Sequence, residues 1–171
     1  MQFYYLHFRE KDEGGVAYAP AHRPIDAIEQ LDEKTDIPFI FYLQNGELQD
    51  YQANNLGWPL FSAKLKTSME PLCDTKNVAW LEAIISDEAG KKHSYFVPRF
   101  IKEFDVLDKQ KSIFGANNFV VKAHLDKEKV MGLDFFPVPG STTRIIISDR
   151  IKKILVAGAF TGIDFGHVAI N

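Results

Sequence analysis

The stretch Arg144-Ile145-Ile146-Ile147-Ser148-Asp149-Arg150-Ile151-Lys152-Lys153 puts a serine between an isoleucine run and a polar segment with helical spacing. A serine at a strand-to-helix junction is where hydrolases of the G-x-S-x-G type hold their nucleophile, and it is also where a helix is capped. The strained nucleophile turn needs small residues two positions to either side. Ser148 has Ile146 and Arg150 there, and the similar Ser62 has Leu60 and Lys64. Neither could make that turn comfortably, so Ser62 and Ser148 are read as helix caps. Each side-chain oxygen then accepts an otherwise orphaned first-turn N–H, a bond worth roughly 1 kcal/mol. Asp149 adds a favourable charge at the positive end of the second helix.

Other residue types that carry chemistry are scattered. His7, His22, His93, His124 and His167 contain no i, i+4 pair, and no carboxylate completes a metal-ligand pattern. Asp105 and Asp108 have no partner acid or nucleophile in sequence. Pro139-Gly140-Ser141-Thr142-Thr143-Arg144 lacks the spacing and the lysine of a phosphate loop and precedes a strand, so it reads as a turn. Gly158 to Gly162 reads as a helix exit, and Arg150, Lys152 and Lys153 as a solvated face. No catalytic residue, metal or cofactor is expected, and the chain is not read as an enzyme.

These residues must be positioned by elements that hydrophobic periodicity outlines. Strands are expected at the N-terminus, at residues 37–43, 78–85, 93–97, 119–123 and 145–147, and from Gly162 to Ile170. A further strand is expected around Phe104, Val106 and Leu107. Asn45-Gly46 reads as a tight hairpin turn, with residues 47–51 returning along the preceding strand. Helical spacing appears at Ile25, Ile28 and Leu31, from Ser62 to Leu72, and at Ile151, Ile154 and Leu155, with a helical turn at 126–130. Gly158 stands where a C′ glycine would end the last helix. The expectation is an α+β fold, a mostly antiparallel sheet with about three short helices packed on it.

One internal echo stands out. Ser62-Ala63-Lys64-Leu65-Lys66 and Ser148-Asp149-Arg150-Ile151-Lys152 share the order Ser, any, basic, aliphatic, Lys. Each opens a helix and leads to a strand with an aromatic, Trp80 or Phe165.

The 171 residues suit one domain, 1–171, with subdomains 1–56 and 57–171 as an alternative division. An apolar fraction of 46% and a charged fraction of 25% are ordinary for a globular chain. The net charge of −3 gives no footprint for nucleic acid. Cys73 is the sole cysteine, which rules out an internal disulfide and fits a reducing compartment. The N-terminus lacks the layout of a signal peptide, and no apolar run is long enough to span a bilayer, so the expected location is cytoplasmic with no membrane partner.

Several motifs in order resemble a known family. They are Trp58-Pro59-Leu60-Phe61-Ser62-Ala63-Lys64-Leu65-Lys66, the strand with Val78 and Trp80, and Gly132-Leu133-Asp134-Phe135-Phe136. Ile145 to Lys152 and Gly162-Ile163-Asp164-Phe165-Gly166-His167-Val168 follow. From about Asp50 onward the chain resembles a bacterial family first classed as a domain of unknown function and later assigned to immunity proteins of polymorphic toxin systems. It departs from that pattern at Pro137, where a basic residue is expected. The resemblance implies non-catalytic, stoichiometric binding of a cognate toxin protein inside the producing cell. It transfers scaffold positions and no catalytic residue.

Interfaces favour aromatic anchors with polar neighbours. Asp50, Tyr51 and Trp58 are the candidates for partner binding, with Trp58 packed beneath the Ser62 helix as the alternative. An enzyme or small-molecule binder with a deep polar pocket is the competing reading, and an oligomerisation module is a third. The toxin's identity, the oligomeric state and the strand order stay open at this stage.

Overall fold

A computed structural model describes residues 1–9, 13–20, 38–74 and 76–171. In chain order its elements are β1 (Phe3–Phe8), β2 (Val16–Tyr18), β3 (Phe39–Gln44), β4 (Tyr51–Gln52), β5 (Leu60–Ser62), α1 (Ala63–Met69), β6 (Val78–Ser86) and β7 (Lys92–Phe100). There follow β8 (Ile113–Phe114), β9 (Val120–Lys122), β10 (His124–Leu125), β11 (Phe135–Pro137), β12 (Ile145–Ser148), α2 (Asp149–Ala157) and β13 (Ile163–Ile170). One sheet has the order β2-β3-β6-β7-β5-β4 and a second β10-β13-β1-β12-β11, while β8 and β9 form a small ribbon.

This corrects the expected α+β fold. The described residues are mostly β, with three sheets, two α-helices and two short 3₁₀ turns. The physical reason is that the sheets cover each other. The central core between them takes Tyr51, Phe61, Leu65, Met69 and Val78 from the first half and Leu6, Phe135, Ile145, Ile147, Ile151, Leu155 and Ile163 from the second. The expected helix at 25–31 lies outside the described residues. Residues 126–130 form a turn around Asp126, whose carboxylate accepts the N–H groups of Glu128 and Lys129. The strand expected near Leu107 reduces to a single bridge to Leu125.

The Asn45-Gly46 turn does not return residues 47–51 along β3. β3 lies between β2 and β6, and β4 pairs with β5. After the turn Glu47 instead exchanges backbone bonds with Glu13 and Gly15. Gly46, at φ +147°, sits so close to that segment that a Cβ would lie 2.4 Å from the Glu13 carbonyl oxygen. Helix α2 exits differently from expectation as well. Gly158 keeps a right-handed conformation with the Phe160 ring where a Cβ would stand, and Ala159 takes the positive φ of 48°.

The two large sheets repeat one design. In β3-β6-β7-β5-β4 and β10-β13-β1-β12-β11 the first pair is parallel and the others antiparallel. Registers agree as well. Phe96 stands between Phe61 and Glu82, and Tyr4 between Ile147 and His167. Four residues along, Phe100 faces Val78 and Phe8 faces Ile163. Each helix buries the third and seventh residues after its serine, Leu65 and Met69 or Ile151 and Leu155. That spacing is one helical face. The ammonium of Lys66 lies 5.1 Å from the Phe96 ring and that of Lys152 3.7 Å from the Tyr4 ring.

The halves differ in where one strand comes from. β7 follows β6 through the turn at Asp87–Lys91, whereas its counterpart β1 is drawn from the other end of the chain. β1 begins beside the end of β13, with Phe3 opposite Val168. The second half is therefore a circularly permuted version of the first. A chain with Asn171 joined to Met1 by a short Gly-Ser linker and opened at Gly90 is expected to keep the parent circular dichroism and a cooperative urea transition. Loss of that cooperativity would contradict the equivalence of β1 and β7.

Candidate interaction surface

The residues expected at an interface lie inside this scaffold. Tyr51 is 2% exposed, stacks on Phe8 at 4.7 Å and meets Phe61 edge-on. Burial raises its phenol pKa. Trp58 is 3% exposed and packs on Phe39 and Phe41 in the outer core of the first sheet, not beneath α1. Asn54 fixes the loop before it, accepting the Trp58 N–H at 2.9 Å and donating to its carbonyl at 2.6 Å. Asp50 is a junction. Its carboxylate accepts the Ser62 hydroxyl at 2.8 Å and the Thr161 N–H at 3.0 Å, while its own N–H donates to Thr161 Oγ1 at 2.9 Å. The structure brings Asp50, Tyr51 and Ser62 together at this joint and places Trp58 on another layer.

The two serines are committed to their helices. Ser62 Oγ accepts the Leu65 N–H at 3.1 Å, and Ser148 Oγ accepts that of Ile151 at 3.4 Å. Each hydroxyl donates to an aspartate one position before a hairpin strand, Asp50 or Asp134. Each serine N–H also binds that aspartate's carbonyl, at 2.7 and 2.9 Å. Arg150 pairs with Asp134, and this hydrogen bond, joined by the one from Ser148, lowers the carboxyl pKa against partial desolvation. Neither serine has the free hydroxyl and adjacent base that acyl transfer requires.

The remaining titratable groups are dispersed. His93 lies 2.9 Å from Asp87, His124 2.8 Å from Asn171, and His167 edge-on to Tyr4. His7 has its pKa lowered mainly by burial, with Asp164 opposing and Arg144 assisting. His22 lies outside the described residues. Burial and the charge of Glu70 push the Cys73 thiol up to about 12, which suppresses the nucleophilic thiolate. Among the described residues no cluster of three His, Cys, Asp or Glu side chains could hold a metal.

Outside the repeated frame, among the described residues, stand β2 and the connector between β7 and β10. The connector carries the β8–β9 ribbon, where Ile113, Phe119 and Val121 are each more than half exposed and Phe114 is 39% exposed. Asn117 and Asn118 both take positive φ at the ribbon's tip, a conformation asparagine tolerates and tight hairpins use. The ribbon is fastened at its base, where Ser112 Oγ accepts the His124 N–H at 3.0 Å and donates to the His124 carbonyl at 3.2 Å, and from the second sheet. Arg144 donates to the Val120 carbonyl and lies 5.3 Å from the Tyr5 ring and 5.7 Å from that of Phe119. The Tyr5 hydroxyl accepts the Ala123 N–H at 3.2 Å.

Beside the ribbon runs an open cleft of about 920 Å³ between the end of β7, residues 101–107 and the β11–β12 loop. Phe100, Phe104, Leu107 and Val138 form its apolar wall. Phe104 is held by edge contact with Phe100 at 6.2 Å and stacking on Phe136 at 6.1 Å. Exposed apolar side chains gathered beside a concavity mark interaction sites on globular proteins. The sequence reading placed a strand at 119–123 but missed its partner, Ile113-Phe114. The Asn-Asn pair between two short apolar runs was the available signal.

The joint at Asp50 makes an energetic prediction. Asp50→Ala should cost about 2–3 kcal/mol in urea unfolding, because Ser62 and Thr161 lose a charged acceptor. Ser62→Ala should cost about 1 kcal/mol. The double variant should cost clearly less than the sum, since both act in one network. Additivity within about 0.3 kcal/mol would contradict the coupling.

The chain matches the family described as "Immunity protein family (Imm11)" over residues 5–170. A search of curated proteins gives no match. No helix among the described residues is long and apolar enough to cross a membrane. The match spans both sheets, the N-terminal strand and the β8–β9 ribbon, and on it the chain belongs to the Imm11 immunity protein family.

Proposed function

We propose that the chain neutralises a cognate toxin by binding it stoichiometrically, without catalysis, in the cytoplasm of the producing cell. The toxin seats on the β8–β9 ribbon and the adjoining cleft. The observation that carries this reading is an exposed apolar ribbon beside an open cleft in a chain of an immunity family. Removing such a patch from water is the main favourable term in protein association. A stable complex buries roughly 1,200–2,000 Å² of surface in all, and on this reading the ribbon and the cleft wall both contribute to it. On this reading Asp50, Tyr51 and Trp58 hold the scaffold and do not touch the toxin.

Tagged protein recovered from the producing bacterium tests the function. The expected result is one near-stoichiometric partner that is toxic when expressed alone and harmless when co-expressed with the chain, its activity falling to zero at equimolar addition. Complete inactivation by a small fraction of an equivalent would contradict the non-catalytic reading. Absence of any such partner, in cells shown to make the toxin, would contradict toxin binding itself.

A further inference from the structure

The chain carries a net charge of −3, yet from Lys109 to His124 it holds three lysines and no aspartate or glutamate. That stretch contains the whole β8–β9 ribbon. The cleft beside it repeats the bias. Lys102 and Lys109, both exposed, line it with Glu103 and Asp105, and Asp105 is held 2.9 Å from the ammonium of Lys129. Lys102 lies 5.2 Å from the Phe104 ring, so a cation stands over the apolar wall. An apolar floor with a cationic rim selects both features of its partner. An uncharged apolar segment would strip water from the lysines without replacing it, and a basic one would be repelled.

We infer that the segment of the toxin received by this surface is acidic, with carboxylates flanking an apolar or aromatic side chain that enters the cleft. This rests on the toxin-binding reading above. The apolar side chain buries against Phe104 and Phe114, and the carboxylates meet Lys102 and Lys109 at the rim. Rim charges act chiefly on the association rate and on its salt dependence, and buried apolar anchors on dissociation. The two parts of the surface are therefore separable in kinetics.

The test uses the full chain and the purified toxin recovered with it. Lys102 and Lys109 are both exposed, so Lys102→Glu with Lys109→Glu leaves the core intact. Lys91→Glu, in the turn at the opposite end of β7, is the control. The double variant should associate with the toxin about tenfold more slowly or worse. The wild-type rate should fall steeply between about 0.1 M and 1 M salt, as the screening length shrinks from about 10 Å to 3 Å. Phe114→Ser should raise the dissociation rate instead, and the control should behave as wild type.

An unchanged association rate in the double variant, with a flat salt dependence, would overturn this inference and leave toxin binding standing. Failure of the wild-type chain to bind any toxin would overturn both. A fluorescent single-stranded RNA oligonucleotide, bound by the wild type and released by the double variant, would overturn it in favour of a nucleic-acid surface.

Discussion

The carboxylate of Asp50 joins the two halves of the molecule. One oxygen receives the Ser62 hydroxyl at the start of α1, and the other receives the Thr161 N–H just before β13. The Tyr51 N–H adds a bond to the Thr161 carbonyl. Gly162 completes the joint at φ +75°, where a Cβ would lie 2.4 Å from the Tyr51 carbonyl oxygen. Hydrogen bonds to a charged group are worth about 1.5–3 kcal/mol each, against roughly 1 for neutral ones. The joint stands near both helices that enter the central core, since Ser62 is the N-cap of α1 and Thr161 follows the end of α2 at Ala157 by four residues. The repeated partner, Asp134, closes on Ser148 and Arg150 of its own half. The internal symmetry is broken at the point where one half must hold the other.

A repeated frame separates structural from functional constraint. Asp50 and Asp134, Ser62 and Ser148, Leu65 and Ile151, and Phe100 and Phe8 hold equivalent places in registers that match strand for strand. Residues repeated in this way are accounted for by folding. The β8–β9 ribbon lies in the connector between the halves, with large apolar side chains turned to solvent. Arg144 reaches it from the start of β12, linking the exposed ribbon to the second sheet through the Val120 carbonyl and the Tyr5 and Phe119 rings. The β8–β9 ribbon is a short insertion held by the two-sheet scaffold.

What could be read in the sequence followed the range of the interactions. The Ser62 and Ser148 caps depend on a neighbour three residues away, and their shared pattern was visible as an echo. The long strands at 78–86 and 163–170 announced themselves by apolar runs. Other features depend on partners far along the chain. Asn45-Gly46 carried the local signal of a hairpin, but residues 13–15 captured the strand that left it. Tyr51 and Trp58 sit in polar, loop-like sequence and are buried by Phe8, Phe61, Phe39 and Phe41, none of which is their neighbour in sequence. The equivalence of β1 and β7 was hidden because the matching strands stand at opposite places in chain order.

The central claim is that the scaffold is closed and the ribbon with its cleft is the open, binding part. Amide hydrogen exchange of the chain, alone and saturated with its toxin, tests it directly. Protection should rise across residues 98–123 and 137–144, and residues 50–62 should exchange at the same slow rate in both states. New protection confined to 50–62, with the ribbon unchanged, would contradict the account.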